Sequence, residues 1–269
     1  MINGIVNVYK ESGFTSFDVV AKMRGIFHQK KIGHTGTLDP DAQGVLPVCL
    51  GRATKVCDLL TDKDKEYEAV MLLGMTTDTQ DASGTVLNRQ KVTVTEDAVK
   101  TVITSFEGEY MQIPPMYSAL KVNGQKLCDL ARKGIEVERK ARSVTIHKIQ
   151  ILEINLPRVR MKVECSKGTY IRTLCQDIGN KLGCGACMES LLRTRVSEFR
   201  LDGALRLQQI EELVQREDFS FVQSVDSVFM QYDSAQVMEI AKKMVENGNR
   251  IPEEMICNMC QEKEQKCIR

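Results

Sequence analysis

Asp39 and Asp41 stand in the stretch Gly33-His34-Thr35-Gly36-Thr37-Leu38-Asp39-Pro40-Asp41-Ala42-Gln43-Gly44, where three glycines and a proline work against any regular element. Glycine opens backbone angles that other residues avoid, and Pro40 bars Asp39 from the helical region. The stretch is a bent connection with a carboxylate held out on it, which is how a loop offers an acid, a base or a nucleophile. The same composition also describes an ordinary turn in which either aspartate caps a backbone amide. Local chemistry does not choose between Asp39 and Asp41, or between site and turn.

Metal and cofactor chemistry find little support in the residue types. The three histidines, His28, His34 and His147, are too scattered to suggest a metal cluster, and no phosphate-binding glycine fingerprint is present. Two C-x-x-C pairs, Cys184/Cys187 and Cys257/Cys260, are separated by 69 residues, far from zinc-ribbon spacing. We expect no metal and no cofactor. Ten cysteines spread over 269 residues read as reduced thiols rather than a disulfide framework. With no secretion signal and no stretch of membrane-spanning length, the expected setting is cytoplasmic and away from membranes.

The elements that must carry the loop follow from periodicity. Gly4 to Tyr9 reads as a buried strand, and Thr15-Ser16 caps a helix whose apolar positions Val19, Val20, Met23, Ile26 and Phe27 keep helical spacing. One strand leads into the glycine-rich loop and another, Val45 to Leu50, leaves it; a short helix spans Ala53 to Leu60. Lys65 to Leu73 alternates with Tyr67, Ala69 and Met71 on one face, and Gly84 to Asn88 is its expected partner. Thr95 caps a helix from about Glu96 to Phe106. Pro114-Pro115 stops regular structure within a loop-rich, basic excursion over about 111–142, where Gly124 and Gly134 bracket a short helix. Ser143 to Ile154 and Val159 to Cys165 pair around Pro157. Gly168 to Leu182 is a helix with Tyr170 and Arg172 near its start, Gly185 to Phe199 holds a strand, and Leu207 to Val214 is a helix. Hairpins in place of regular βαβ units indicate an α+β fold with a mixed, largely antiparallel central sheet flanked by helices.

Net charge is only +1, but its distribution is uneven. Residues 121–142 carry seven basic and three acidic side chains, residues 158–200 nine and four, and residues 201–269 eight and thirteen. A polyanion site therefore belongs in the middle of the chain. The shift near residue 220 divides the chain into a domain over 1–220 and a small one over 221–269.

Four segments, taken together and in this order, resemble the bacterial tRNA pseudouridine synthase B family (TruB) over roughly residues 3–250. They are Gly33 to Pro40, Lys65-Glu66-Tyr67-Glu68-Ala69, Pro114-Pro115-Met116-Tyr117-Ser118-Ala119 and Gly168-Thr169-Tyr170-Ile171-Arg172, with Leu72 to Gly74 and Thr77-Asp78-Thr79 between. The resemblance implies the pseudouridine synthase fold and isomerisation of the uridine at position 55 in the tRNA T-arm. It also implies no cofactor, no obligatory protein partner and a monomer. It matches Asp39 to the family's catalytic aspartate, His34 to the histidine before it, and Tyr67 to the tyrosine that stacks on the target base. Tyr170, Arg172 and Leu191 match the remaining pocket residues, and 221–269 matches a small RNA-binding domain that is expected to be incomplete. Three positions depart from the family's pattern: Glu11 where proline is usual, Cys187 where histidine is usual, and Leu192 where a phosphate-binding arginine is common.

The implied chemistry agrees with the residue types. A glycosidase that admits water uses two carboxylates. A uracil that leaves and then returns through carbon is its own nucleophile, so one carboxylate suffices. An ionised Asp39 is able to attack the sugar or the base, or to remove a sugar proton, and the sequence leaves these three open. Arg172 is always charged and suits a two-pronged pair that keeps Asp39 ionised and oriented. The competing reading is a non-catalytic RNA-binding or tRNA-folding module that keeps the basic surface without needing Asp39. A glycoside hydrolase is disfavoured because no second carboxylate has a convincing context. Under either RNA reading, replacing Lys133, Arg139 and Arg142 lowers the logarithmic salt dependence of tRNA binding by about 0.7 to 0.9 for each phosphate left without its cation. A titration series across salt concentrations checks this, and an unchanged slope would mean that the excursion does not touch RNA.

Overall fold

Strict alternation along Lys65–Leu73, with every odd residue buried, marks a strand with one face against a core, and the sheet is built outward from it. The computed structural model describes residues 1–230, 232 and 235–259. The chain divides into two compact units, Met1–Gln223 and Ser224–Arg269.

In the first unit, β1 (Gly4–Lys10) precedes α1 (Ser16–Ile26), the short β2 (Ile32–His34) and β3 (Gln43–Leu50). A 3-10 turn over Gly51–Val56 and α2 (Cys57–Thr61) lead to β4 (Lys65–Leu73). The hairpin of β5 (Met75–Thr77) and β6 (Val86–Arg89) follows, then α3 (Glu96–Thr104) and β7 (Gly108–Gln112). The basic excursion holds β8 (Lys121–Val122), β9 (Gln125–Lys126) and α4 (Leu127–Ala131). The long strands β10 (Arg142–Asn155) and β11 (Arg158–Cys165) come next, then α5 (Ile171–Lys181), β12 (Ala186–Val196), β13 (Phe199–Arg200) and α6 (Leu207–Gln215). Nine strands join one sheet in the order β1-β3-β12-β4-β11-β10-β7, with β2 attached to β3 and β13 to β12. Only the β12–β3 pair is parallel, so the fold is α+β with a mixed, largely antiparallel sheet. In the second unit, β14 (Ala235–Val237) pairs antiparallel with β15 (Ile256–Met259), and α7 (Lys242–Glu246) lies between them in sequence. Among the described residues no helix is long and apolar enough to cross a membrane.

Two apolar cores set the positions of the site elements. In one, Val99 and Ile103 of α3 and Leu174, Cys175 and Ile178 of α5 pack against Ala69, Met71, Met161 and Val163 of the sheet. In the other, Val19, Val20 and Met23 of α1 and Ile210 of α6 pack against Val6, Val8, Leu46 and Val48. Thr15 and Asp18 form a reciprocal capping box: the Thr15 N–H donates to Asp18 Oδ2 at 2.8 Å and the Asp18 N–H donates to Thr15 Oγ1 at 3.0 Å. Thr95 caps α3 as the sequence predicts.

One expected pairing is corrected. β4 does not pair with Gly84–Asn88; its neighbours are β11 and β12. Gly74, at φ +81, turns the chain away immediately after β4, and a Cβ there would lie 2.6 Å from the Gln90 carbonyl oxygen. The segment near residues 86–89 therefore closes on Met75–Thr77, across a connection that carries Asp78, Thr79 and Asp81. The helix expected over Ala53 to Leu60 is a 3-10 turn followed by the single turn of α2.

Gly44 lets β3 and β12 meet. Its φ is +108, and a Cβ would stand 2.2 Å from the Arg193 carbonyl oxygen, which is fixed backbone. Gly36 has φ +96 but open space around it. Gly36→Ala should therefore cost only backbone strain, about 1 to 3 kcal/mol. Gly44→Ala should cost about 1 to 3 kcal/mol more, through overpacking. Urea unfolding of both variants checks the difference, and equal losses would overturn this account of Gly44.

Candidate active site

The connection between β2 and β3, residues 35–42, is held at several points, and each ties Asp39 to an element of the first unit. Ser16 at the start of α1 is buried, and its Oγ accepts from the Leu38 N–H at 2.9 Å and donates to the Leu38 carbonyl at 3.3 Å. Lys10, fully buried at the end of β1, donates through Nζ to the Pro40 carbonyl at 2.9 Å and the Glu11 carbonyl at 3.1 Å. Arg193 on β12, also buried, donates through Nε to the Val45 carbonyl at 2.7 Å and through Nη2 to the Gly36 carbonyl at 3.4 Å. The Ala42 N–H returns to the Asp39 carbonyl at 3.1 Å, so a backbone turn closes around Pro40-Asp41.

Arg172 lies in the first turn of α5 and is only 4% exposed. Its Nε and Nη2 form a two-pronged pair with Asp39 at 2.9 and 3.1 Å. Nη2 also donates to the Tyr117 carbonyl at 2.8 Å, and Nη1 donates to the Thr79 carbonyl at 2.9 Å and reaches Asp81 Oδ2 at 3.5 Å. Asp81 is oriented in turn by Thr79 Oγ1 at 2.8 Å and Ser83 Oγ at 2.6 Å, both donating to its other oxygen. Arg172 does not pair with Asp177, which accepts from the Tyr110 hydroxyl.

Two cavities of about 350 and 650 Å³ share Asp39, Pro40, Tyr117, Arg132, Arg172 and Leu191, so they are lobes of one cleft that meet at the carboxylate. The larger lobe adds Tyr67, Tyr170 and Arg193. Tyr67 on β4 is the register neighbour of Arg193, which is itself opposite Gly44 on β3. Tyr170 precedes α5, and its backbone is clamped by the buried Gln112 side chain, which accepts from its N–H at 2.8 Å and donates to its carbonyl at 3.0 Å. Five of the six residues singled out in the sequence, Asp39, Tyr67, Tyr170, Arg172 and Leu191, thus line one cleft. His34 ends β2, where it pairs with Val48, and lines neither lobe.

The electrostatics oppose one another. Burial raises the Asp39 carboxyl above its ordinary range, the Arg172 guanidinium pulls it back, and Asp81 adds to the rise. Burial lowers the Lys10 ammonium to about 8 against the attraction of Asp39 and Asp41. Burial, with Arg193 nearby, lowers the His34 imidazole and favours its neutral form. Asp41 makes no ion pair with Arg172, although it borders the smaller lobe.

Lys10, Asp81, Gln112 and Arg193 were not singled out from the sequence. Asp81 lies in a stretch rich in threonine and aspartate; Lys10 directly follows the strand read over Gly4 to Tyr9, Gln112 falls in the loop-rich excursion, and Arg193 lies in the strand read within Gly185 to Phe199. Arg139 is corrected as a free phosphate contact: it donates to the Pro114 carbonyl at 3.2 Å and pairs with Glu136 at 3.1 Å, which leaves the exposed Lys133 and Arg142 for a polyanion. Leu192 is half-buried on β12, and Cys187 is buried in the sheet, where burial raises its thiol to about 11. The thiols of Cys184 and Cys187 are both buried, and no metal-holding group of three histidine, cysteine or acidic side chains occurs among the described residues. Cys260 lies outside the described residues.

Residues 24–171 match the family model for the TruB family pseudouridylate synthase N-terminal domain, and residues 172–235 that for the tRNA pseudouridylate synthase B C-terminal domain. A tRNA pseudouridine synthase B from Lachnoclostridium phytofermentans is 58% identical over 262 residues, covering 94% of this chain and 85% of the relative. One from Alkaliphilus oremlandii is 49% identical over 250 residues, covering 93% and 83%. Among solved structures, a Cbf5-Nop10-Gar1 complex matches with a TM-score of 0.75 at 30% identity, over 95% of this chain and 70% of that one. An H/ACA RNP bound to a substrate RNA containing 2'-deoxyuridine matches with a TM-score of 0.73 at 28% identity, with the same coverage.

The opposing charges around Asp39 make a direct prediction. Its carboxyl should titrate above the ordinary aspartate value, and Asp81→Asn, by removing a like charge, should move that titration down in pH. Carboxyl-carbon NMR of labelled protein checks both, and an Asp39 that titrates at or below the ordinary value would refute the burial argument.

Proposed function

This chain belongs to the TruB family of pseudouridylate synthases, and from that premise we propose that it converts the T-arm uridine at tRNA position 55 to pseudouridine with Asp39 as the reacting carboxylate. It is a tRNA pseudouridine synthase, an isomerase acting on a uridine. The observation that carries the assignment of Asp39 is the two-pronged Arg172–Asp39 pair at the point where both lobes of the cleft meet.

The reaction breaks the bond from C1' to N1 of the uracil and forms one from C1' to C5. N1 gains the proton that C5 gives up, so the atoms balance without a co-reactant. In this reading the ionised Asp39 takes the nucleophile or base role at the sugar or uracil ring. Arg172 fixes the carboxylate's direction and favours its charged form in a cleft where burial works against it. Tyr67 stacks on the extruded uracil, an interaction worth about 1 to 3 kcal/mol, comparable with the few kcal/mol that flipping a base costs. Tyr170 and Leu191 complete the walls, and His34, at the base of the loop, is available to fill the space the base vacates. Lys126, Lys133 and Arg142 supply positive charge to the RNA backbone. The reading extends to a cytoplasmic monomer, because its tRNA substrate is found there and one chain supplies the carboxylate, the guanidinium and both tyrosines.

Asp39→Asn should abolish pseudouridine formation in a T-arm transcript while leaving RNA binding intact. Mass-resolved mapping of pseudouridine with wild type and variant checks this. Equal turnover by the variant would sink the role of Asp39, whereas wild type that binds the transcript without forming pseudouridine would favour the non-catalytic RNA-binding reading.

A further inference from the structure

Two phenylalanines flank the start of α1 and meet different fates. Phe14 is half-buried and packs against the core of β1, β3 and α1. Phe17, three residues on, points away from that core and keeps 63% of its surface exposed. A single exposed apolar side chain is ordinary by itself. Phe17 differs because its ring is part of the wall of the larger lobe, the same 650 Å³ cavity that Asp39, Tyr67 and Tyr170 line.

Its position is also fixed against the carboxylate. The neighbouring Ser16 makes both hydrogen bonds to Leu38, the residue before Asp39, and the Thr15–Asp18 capping box fixes the first turn of the helix. This two-bond clamp ties the backbone beside Phe17 to the backbone beside Asp39. Arg24, two turns along the same face of α1, stands over the ring with its guanidinium carbon 5.7 Å from the centroid. Arg24 is exposed and belongs to none of the ion pairs among the described residues. An exposed aromatic ring beside an unpaired cation on a cleft wall is the equipment that binds unstacked bases: a π face for the base and a positive charge for its phosphate.

We propose that Phe17 is a second stacking platform, which receives an unpaired nucleobase adjoining the target uridine while Tyr67 holds the uracil itself. The inference rests on the reading of the cleft as a pseudouridine synthase site. Phe17 acts in binding and takes no part in bond breaking, so its loss raises KM and leaves kcat in place.

The test uses the full chain and synthetic T-arm stem-loop RNA, one set intact and one with the base removed from a single loop nucleotide on either side of the target. Phe17→Ala should raise KM for the intact RNA by about 5- to 150-fold, the range that the removal of one base–aromatic stack implies, with kcat unchanged. Phe17→Trp should restore it. With the base missing at the position that stacks on Phe17, wild type and Phe17→Ala should have the same KM. A Phe17→Ala variant with wild-type KM overturns the proposal, and so does one that loses kcat alone, since that would make Phe17 a support for the loop. If wild type itself leaves the intact RNA unconverted, the pseudouridine synthase reading fails first. Wild-type turnover with an indifferent Phe17 removes only this inference.

Discussion

The structure turns on one guanidinium. Arg172 has five N–H donors, and they are met by the carboxylate of Asp39, the carboxylate of Asp81 and the carbonyls of Thr79 and Tyr117. Those acceptors come from three connections far apart in sequence: the glycine-rich loop, the β5–β6 hairpin and the basic excursion. The acceptor residues themselves lie outside the helices and strands, and a single buried cation gathers them. Without it the carboxylates of Asp39 and Asp81 would lose the counter-ion they share.

The same interaction joins stability to function. A carboxylate drawn into a cleft tends to take up a proton, and Asp39 is pushed that way by burial and by Asp81. Arg172 opposes the push and directs both oxygens. The backbone does the rest: Ser16, Lys10 and Arg193 bond to Leu38, Pro40 and Gly36, so the loop is fixed on both sides of the acid. Rigidity of this kind keeps a reacting group in register with its substrate without a reorganisation step.

The sheet supplies the floor. Gly44, Arg193 and Tyr67 sit side by side on β3, β12 and β4, across the only parallel pairing in the sheet. Because Gly44 has no side chain, the backbone of Arg193 can approach β3 closely, and the buried guanidinium reaches the Val45 and Gly36 carbonyls. Burial works against the charge on Arg193, while Tyr67 and Asp39 favour it, so the cation and the tyrosine beneath the cleft depend on each other.

By itself the sequence determined the strongly periodic elements. The alternation of Lys65–Leu73, the capped helices after Thr15 and Thr95, and the antiparallel pair around Pro157 are local patterns, and a local pattern is enough to specify a strand or a helix. It also marked the loop as a place for an acid, and the joint occurrence of four segments separated Asp39 from Asp41. Only the tertiary structure decided which strands neighbour β4, because a turn at Gly74 redirects the hairpin in a way that strand propensity does not record. It alone revealed Lys10, Asp81, Gln112 and Arg193, whose roles depend on partners between 30 and 157 residues away. A buried polar side chain has no signature in its own neighbourhood. Its meaning lies in the acceptor it reaches, and folding brings that acceptor from elsewhere in the chain.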